Sequence, residues 1–123
     1  MNRPLLDRLA VALAGLFGAL ATAGAALAAH GRVEGSFLTI ASAVAFVHAP
    51  ALLALGLAGS GLRLRALPVA LMTLGTLLFS GDLASRALLG GRAFVNAAPT
   101  GGSLLILGWL SLAVLAFLPA RRP

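Results

Sequence analysis

The sequence predicts an all-α integral membrane protein, a four-helix transmembrane bundle with short loops and both termini on the cytoplasmic side. Three observations predict it. Of 123 residues, 60% are hydrophobic and only 10% are charged, whereas a soluble domain is about 45–50% apolar and about 25% charged. Four apolar runs, each near the roughly 20 residues a span requires, account for nearly all of the chain. Its nine cationic residues, all arginine, sit at the ends of those runs. The mean hydropathy of +1.04 agrees. The chain therefore reads as one transmembrane domain over 1–123, with spans near 9–29, 37–58, 66–89 and 100–118.

The first run, Leu9 to Ala29, follows a polar start carrying Arg3 and Arg8 and ends in small residues. It imitates a secretory leader, but at about 21 residues it exceeds the roughly 7–15 of a leader's apolar core, so it is expected to be retained. Ala14, Gly18, Thr22 and Ala26 recur every four residues along it. Small residues on one face let membrane helices approach closely, either within the bundle or between copies of the chain. The second run, Phe37 to Ala58, contains Pro50, whose missing N–H leaves the Phe46 carbonyl without its helical partner and predicts a kink. The link Gly59 to Arg65 combines turn residues with two arginines. Pro68 suits the first turn of the third run, which ends at Leu89 before Gly90–Gly91. The fourth run spans Thr100 to Leu118, where Pro119 stops it.

Arginine placement orients the bundle. Arg3, Arg8, Arg63, Arg65, Arg121 and Arg122 fall on one side, with Arg32, Arg86 and Arg92 on or near the other. The positive-inside rule puts both termini and the middle link in the cytoplasm, which implies a multi-pass protein of the bacterial inner (cytoplasmic) membrane. The net charge of +6 would suggest nucleic acid in a soluble protein. Here it reads as topology, and no nucleic-acid partner is expected. Cysteine is absent, which excludes disulfides, thiolate metal sites and cysteine nucleophiles.

The polar residues inside the runs carry what chemistry there is. A charge in hydrocarbon costs roughly 2.5–3.5 kcal/mol on insertion scales, so it is paired, hydrated or functional. Asp82 lies roughly 21 Å from the inner end of its helix at 1.5 Å per residue, in the outer half of the bilayer. Arg86 follows at i+4, in the orientation that favours a pair. The pair is either self-satisfied or part of an ion, proton or headgroup site. His30 ends the first run at a similar depth and could pair with Asp82 across helices. Asn96, Pro99, Thr100, Gly101 and Gly102 open the fourth run, where Asp82 could cap the helix or a lipid phosphate could bind its N–H groups. His30, Asp82, Arg86, Asn96 and Thr100 thus form a candidate polar cluster. His48, roughly 18 Å below the outer end of the second run, either donates to a carbonyl freed by Pro50 or acts as a proton relay. A bis-histidine haem site fails on depth, since His30 and His48 are far apart. No catalytic, metal or cofactor motif is present.

Four stretches carry a family resemblance: AGAALAAHG (Ala23–Gly31), FVHAPALLALGL (Phe46–Leu57), LGTLLFSGDL (Leu74–Leu83) and APTGGSLLILGWL (Ala98–Leu110). In order and spacing they resemble a small four-span bacterial family known as domain of unknown function four hundred and twenty-three, with relatives among mitochondrial transmembrane proteins. The family's two histidines fall on His30 and His48, its F-S-G motif on Phe79, Ser80 and Gly81, and its P-x-G-G motif on the Pro99–Gly102 segment. The chain departs from the family's usual pattern at Asp82, Leu83 and Pro50. The resemblance implies the fold and no settled activity. The functional expectation is a non-enzymatic bundle with an assembly, accessory or lipid-binding role. Its expected partners are the lipid bilayer, a lipid headgroup, further copies as a homo-oligomer, or other membrane proteins. The alternative is a small conduit for a proton, ion or solute that uses the polar cluster.

Overall fold

A computed structural model describes residues 2–31 and 35–120. Arg32, Arg121 and Arg122, on which part of the predicted orientation rests, lie outside the described residues. The described chain forms four helices, α1 (Leu5–Ala29), α2 (Gly35–Ala58), α3 (Ala66–Leu89) and α4 (Ala97–Leu115), with a short 3-10 turn at Gly59–Gly61. Each is long and apolar enough to cross a membrane. Only α3 keeps both expected boundaries: α2 begins two residues earlier, at Gly35, α4 ends three residues earlier, at Leu115, and the starts of α1 and α4 also differ. Helix α1 begins at Leu5, which places Asp7 inside its first turn; a carboxylate there is favoured by the positive end of the helix dipole. Helix α4 runs Ala97–Leu115, because Pro99 in its first turn needs no N–H partner.

The helices pack mainly in chain order, as two antiparallel hairpins, α1–α2 and α3–α4, joined through α2 and α3. In α1 the buried positions are Asp7, Ala10, Ala14, Phe17, Ala21 and Gly24. These alternate in steps of three and four, the 3.5-residue period that keeps one seam facing a neighbouring helix. The strict four-residue stripe expected from sequence is therefore not the contact face. Ala14 is buried and Gly18 half-buried, where an added Cβ would meet the Ala49 methyl at 3.9 Å, while Thr22 and Ala26 are exposed. Four residues sweep about 400°, so such a stripe drifts off the seam within two turns. Where the hairpin closes tightest, a Cβ on Gly24 would strike the Ser42 hydroxyl, and one on Gly56 would lie about 3.1 Å from the Ala10 methyl.

The α3–α4 hairpin crosses on glycine. A Cβ on Gly101 would lie 2.5 Å from the Phe79 backbone nitrogen and 2.8 Å from the Gly75 carbonyl, and one on Gly75 would strike Leu105 at 2.7 Å. Two helix backbones thus touch, gaining dispersion contacts where lipid gives no hydrophobic drive. Helix α2 stays helical through Pro50.

The main apolar core, Ala10, Ala14, Phe17, Ala49, Leu52, Leu55, Val69 and Met72, belongs to the half of the bundle nearest the N-terminus and the α2–α3 link, called the terminal end. Helices α1 and α3 make little direct contact. Toward the far end, where α1 meets α2, they part around a groove of about 270 Å³ running from Phe17 and Thr76 to Leu27 and Leu88.

Candidate functional site

The polar residues resolve into separate interactions, some within a helix and some between helices, not one cluster. At the terminal end Asp7 of α1 and Arg65, which precedes α3, form an ion pair in which both side chains are only 8% exposed. Leu64, immediately before Arg65, takes a left-handed backbone conformation at φ 54°. A non-glycine residue persists there only where its surroundings fix it, and the Asp7–Arg65 pair supplies that constraint. Neither residue stood out in the sequence. The detectable signal was that the 3.5-residue seam of α1 extends back onto Asp7, which puts an acid on a buried face and demands a partner.

At the far end Asp82 is 1% exposed. One carboxylate oxygen accepts from the Arg86 guanidinium at 2.9 Å, and the other from the backbone N–H of Ala93 at 2.8 Å. The expected Asp82–Arg86 pair is present. The expected cap of α4 is not, because Asp82 holds the α3–α4 link at Ala93, ahead of the first residue of α4. Gly90 turns the chain at φ 77°, and the Ser85 hydroxyl donates to the Gly91 carbonyl at 2.7 Å. The last turns of α3 therefore grip the link that follows them. Arg86 also lies over the Phe37 ring of α2 at 5.6 Å, a cation–π contact that joins the two hairpins.

The other members of the expected cluster stand apart. His30 Nδ1 pairs with its own Ala26 carbonyl at 2.6 Å and is exposed, since a ring at a helix end reaches the i−4 carbonyl before a neighbouring helix. Asn96 adopts φ 62° at the start of α4 without a side-chain cap; asparagine tolerates that conformation well. Thr100 is exposed, and its backbone N–H donates to the Asn96 carbonyl at 3.0 Å. Pro99 lends its carbonyl to the Ser103 hydroxyl at 2.9 Å. Gly101 is the backbone crossing described above, and a Cβ added at Gly102 would lie 3.6 Å from the Phe79 ring.

His48 is buried, and its partners fix its tautomer. Nδ1 lies 2.7 Å from the Val44 carbonyl, which can only accept, so this nitrogen carries the proton. Nε2 receives the indole N–H of Trp109 at 3.0 Å and is therefore the bare nitrogen. The carbonyl used is Val44, one helical turn back, and not the Phe46 carbonyl released by Pro50. Trp109 was missed in the sequence although depth could have found it: both residues lie roughly 18–20 Å from the far ends of their helices at 1.5 Å per residue. Ser80 of the F-S-G segment donates to the Ala41 carbonyl at 2.8 Å, a further tie between α3 and α2. Gly81 beside it has nothing within 4 Å of its added Cβ and faces the groove.

The groove takes its walls from α1, α2 and α3, and its lining carries no ionisable side chain. Thr76 lies in that lining, 2% exposed, and its buried hydroxyl has no hydrogen-bond partner among the described residues. A family model described as "Protein of unknown function (DUF423)" matches residues 14–102. No solved structure matches the chain.

Proposed function

The chain belongs to the DUF423 family of unknown function, and we propose that it is a non-enzymatic accessory bundle whose groove between α1, α2 and α3 holds a molecule dissolved in the lipid phase. The observation that carries this reading is the division of labour among its residues. Asp7 with Arg65, Asp82 with Arg86 and Ala93, and His48 with Trp109 and Val44 are engaged inside the chain. The groove, by contrast, is uncharged and open to the side. A conduit needs polar groups free to bind and release their cargo, and the engagement of Asp82 and His48 in structural bonds favours the accessory reading over it.

The setting we infer is a bacterial inner membrane with both termini in the cytoplasm, as arginine placement suggests. The groove then opens in the periplasmic half of the bilayer. Further copies or other membrane proteins would meet the bundle at its lipid-facing surfaces. The test is native mass spectrometry of protein extracted with its surrounding lipid. We expect the wild type to retain a lipid-phase molecule that Gly81→Leu, which fills the groove from an uncrowded position, releases. Equal retention by both would contradict the reading.

A further inference from the structure

Burial of the acids leaves the terminal end of the bundle with exposed charge of one sign. The acids of the sequence are Asp7, Glu34 and Asp82. Asp7 is buried against Arg65, and Asp82 against Arg86. Arg3, Arg8 and Arg63 stay exposed, and among the described residues no carboxylate remains to pair with them. The Asp7–Arg65 pair also fixes where two of them stand. Arg8 follows Asp7 in α1, and Arg63 lies two residues before Arg65 in the α2–α3 link. The pair that ties α1 to the start of α3 therefore holds both arginines at one end of the molecule. The far end differs: Arg86 is engaged by Asp82, and Arg92 is the one exposed arginine there among the described residues.

Apolar surface beside these cations narrows the partner. Leu5 and Leu9 of α1, and Leu64 and Leu67 around the start of α3, are each half exposed or more. At 100° per residue, Leu5 and Leu9 lie within about 100° of Arg8 around the helix. An acidic polypeptide or a soluble phosphate ester would meet the arginines and leave the leucines in water. A phospholipid satisfies both, with its phosphate on the guanidinium forks and its acyl chains along the leucines. A zwitterionic headgroup carries its own cation and gains less from a rim of three positive charges. We propose that the terminal end, around Arg8 and Arg63, is a docking rim selective for anionic phospholipids. This rim is separate from the groove and does not depend on what the groove holds.

The test is native mass spectrometry of the full chain in detergent micelles that carry equal amounts of phosphatidylglycerol and phosphatidylcholine, with the retained lipid sorted by headgroup. We expect the wild type to retain phosphatidylglycerol in preference. One arginine near an anionic lipid surface is worth a factor of about five. Arg8→Gln and Arg63→Gln should each lower the preference by about that factor, and the double variant should lose most of it. Arg92→Gln, which removes the same charge at the far end, should leave the preference intact, as should Gly81→Leu in the groove. Arg8, Arg63 and Arg92 are exposed, so the three variants should unfold at the wild-type temperature. Glycerophosphoglycerol (the same headgroup without chains) and polyglutamate should both fail to displace the retained lipid. No preference in the wild type, no loss in the double variant, or an equal loss in Arg92→Gln would overturn the rim. Displacement by either chain-free competitor would overturn a lipid as its occupant. Each of these results leaves the groove to be judged by its own variant.

Discussion

An acid buried among apolar helices is tolerated only with its countercharge at hand, and Asp7 and Asp82 meet that demand differently. Asp82 finds Arg86 on its own helix, a local solution that spacing alone exposes. Asp7 finds Arg65 at the start of α3, far away in the chain, so only the folded arrangement reveals it. Breaking a buried pair by removing one partner costs about 3–5 kcal/mol, because the other charge is stranded. Asp7→Leu and Arg65→Met should therefore each destabilise the bundle by about that amount in detergent-unfolding measurements. The double variant should recover most of the loss. Additive losses in the double variant would show that the two residues act independently. Histidine followed the same pattern: its burial was legible from its place in an apolar run, while its bond to Trp109 required two helices to be set at matching depth.

At the scale of the helix, what decides contact is period. The four apolar runs and their order were legible because length and composition dictate them. The packing face of α1 was not, since small residues occur on several sides of that helix and a four-residue spacing looks like a stripe until its rotation is followed. The bonds at the helix ends were also hidden: whether Asp82 holds Ala93 or the first turn of α4 depends on how the Gly90–Gly91 turn folds back. The α3–α4 crossing gives the sharpest test at this scale. Alanine at Gly101 places a methyl against the α3 backbone, and overpacking of this kind costs about 1–3 kcal/mol. Gly101→Ala should lower the unfolding temperature, whereas Gly81→Ala, with open space around it, should hold or raise it through a helix-propensity gain of about 0.5–1 kcal/mol. The reverse order would contradict the crossing.

For the whole molecule, the two ends behave differently. The terminal end is closed by the apolar core and the Asp7–Arg65 pair. The far end carries the groove between α1 and α3 and the gripped α3–α4 link. The sequence suggested one polar cluster in the outer half. In the fold an ion pair lies buried at the terminal end, and the far-end residues are dispersed over separate bonds. That difference moves the candidate site from the polar cluster to the groove, a feature no linear pattern announces because three helices build it. The central claim is that the intramembrane polar residues serve as fixed ties between helices. His48 reports on it most directly, through the nitrogen-15 chemical shifts of its imidazole ring in lipid bilayers. The account predicts a neutral ring with the proton on Nδ1 and an acceptor-type Nε2 whose shift moves when Trp109 is replaced by phenylalanine. A ring protonated on Nε2, or one indifferent to Trp109→Phe, would contradict it.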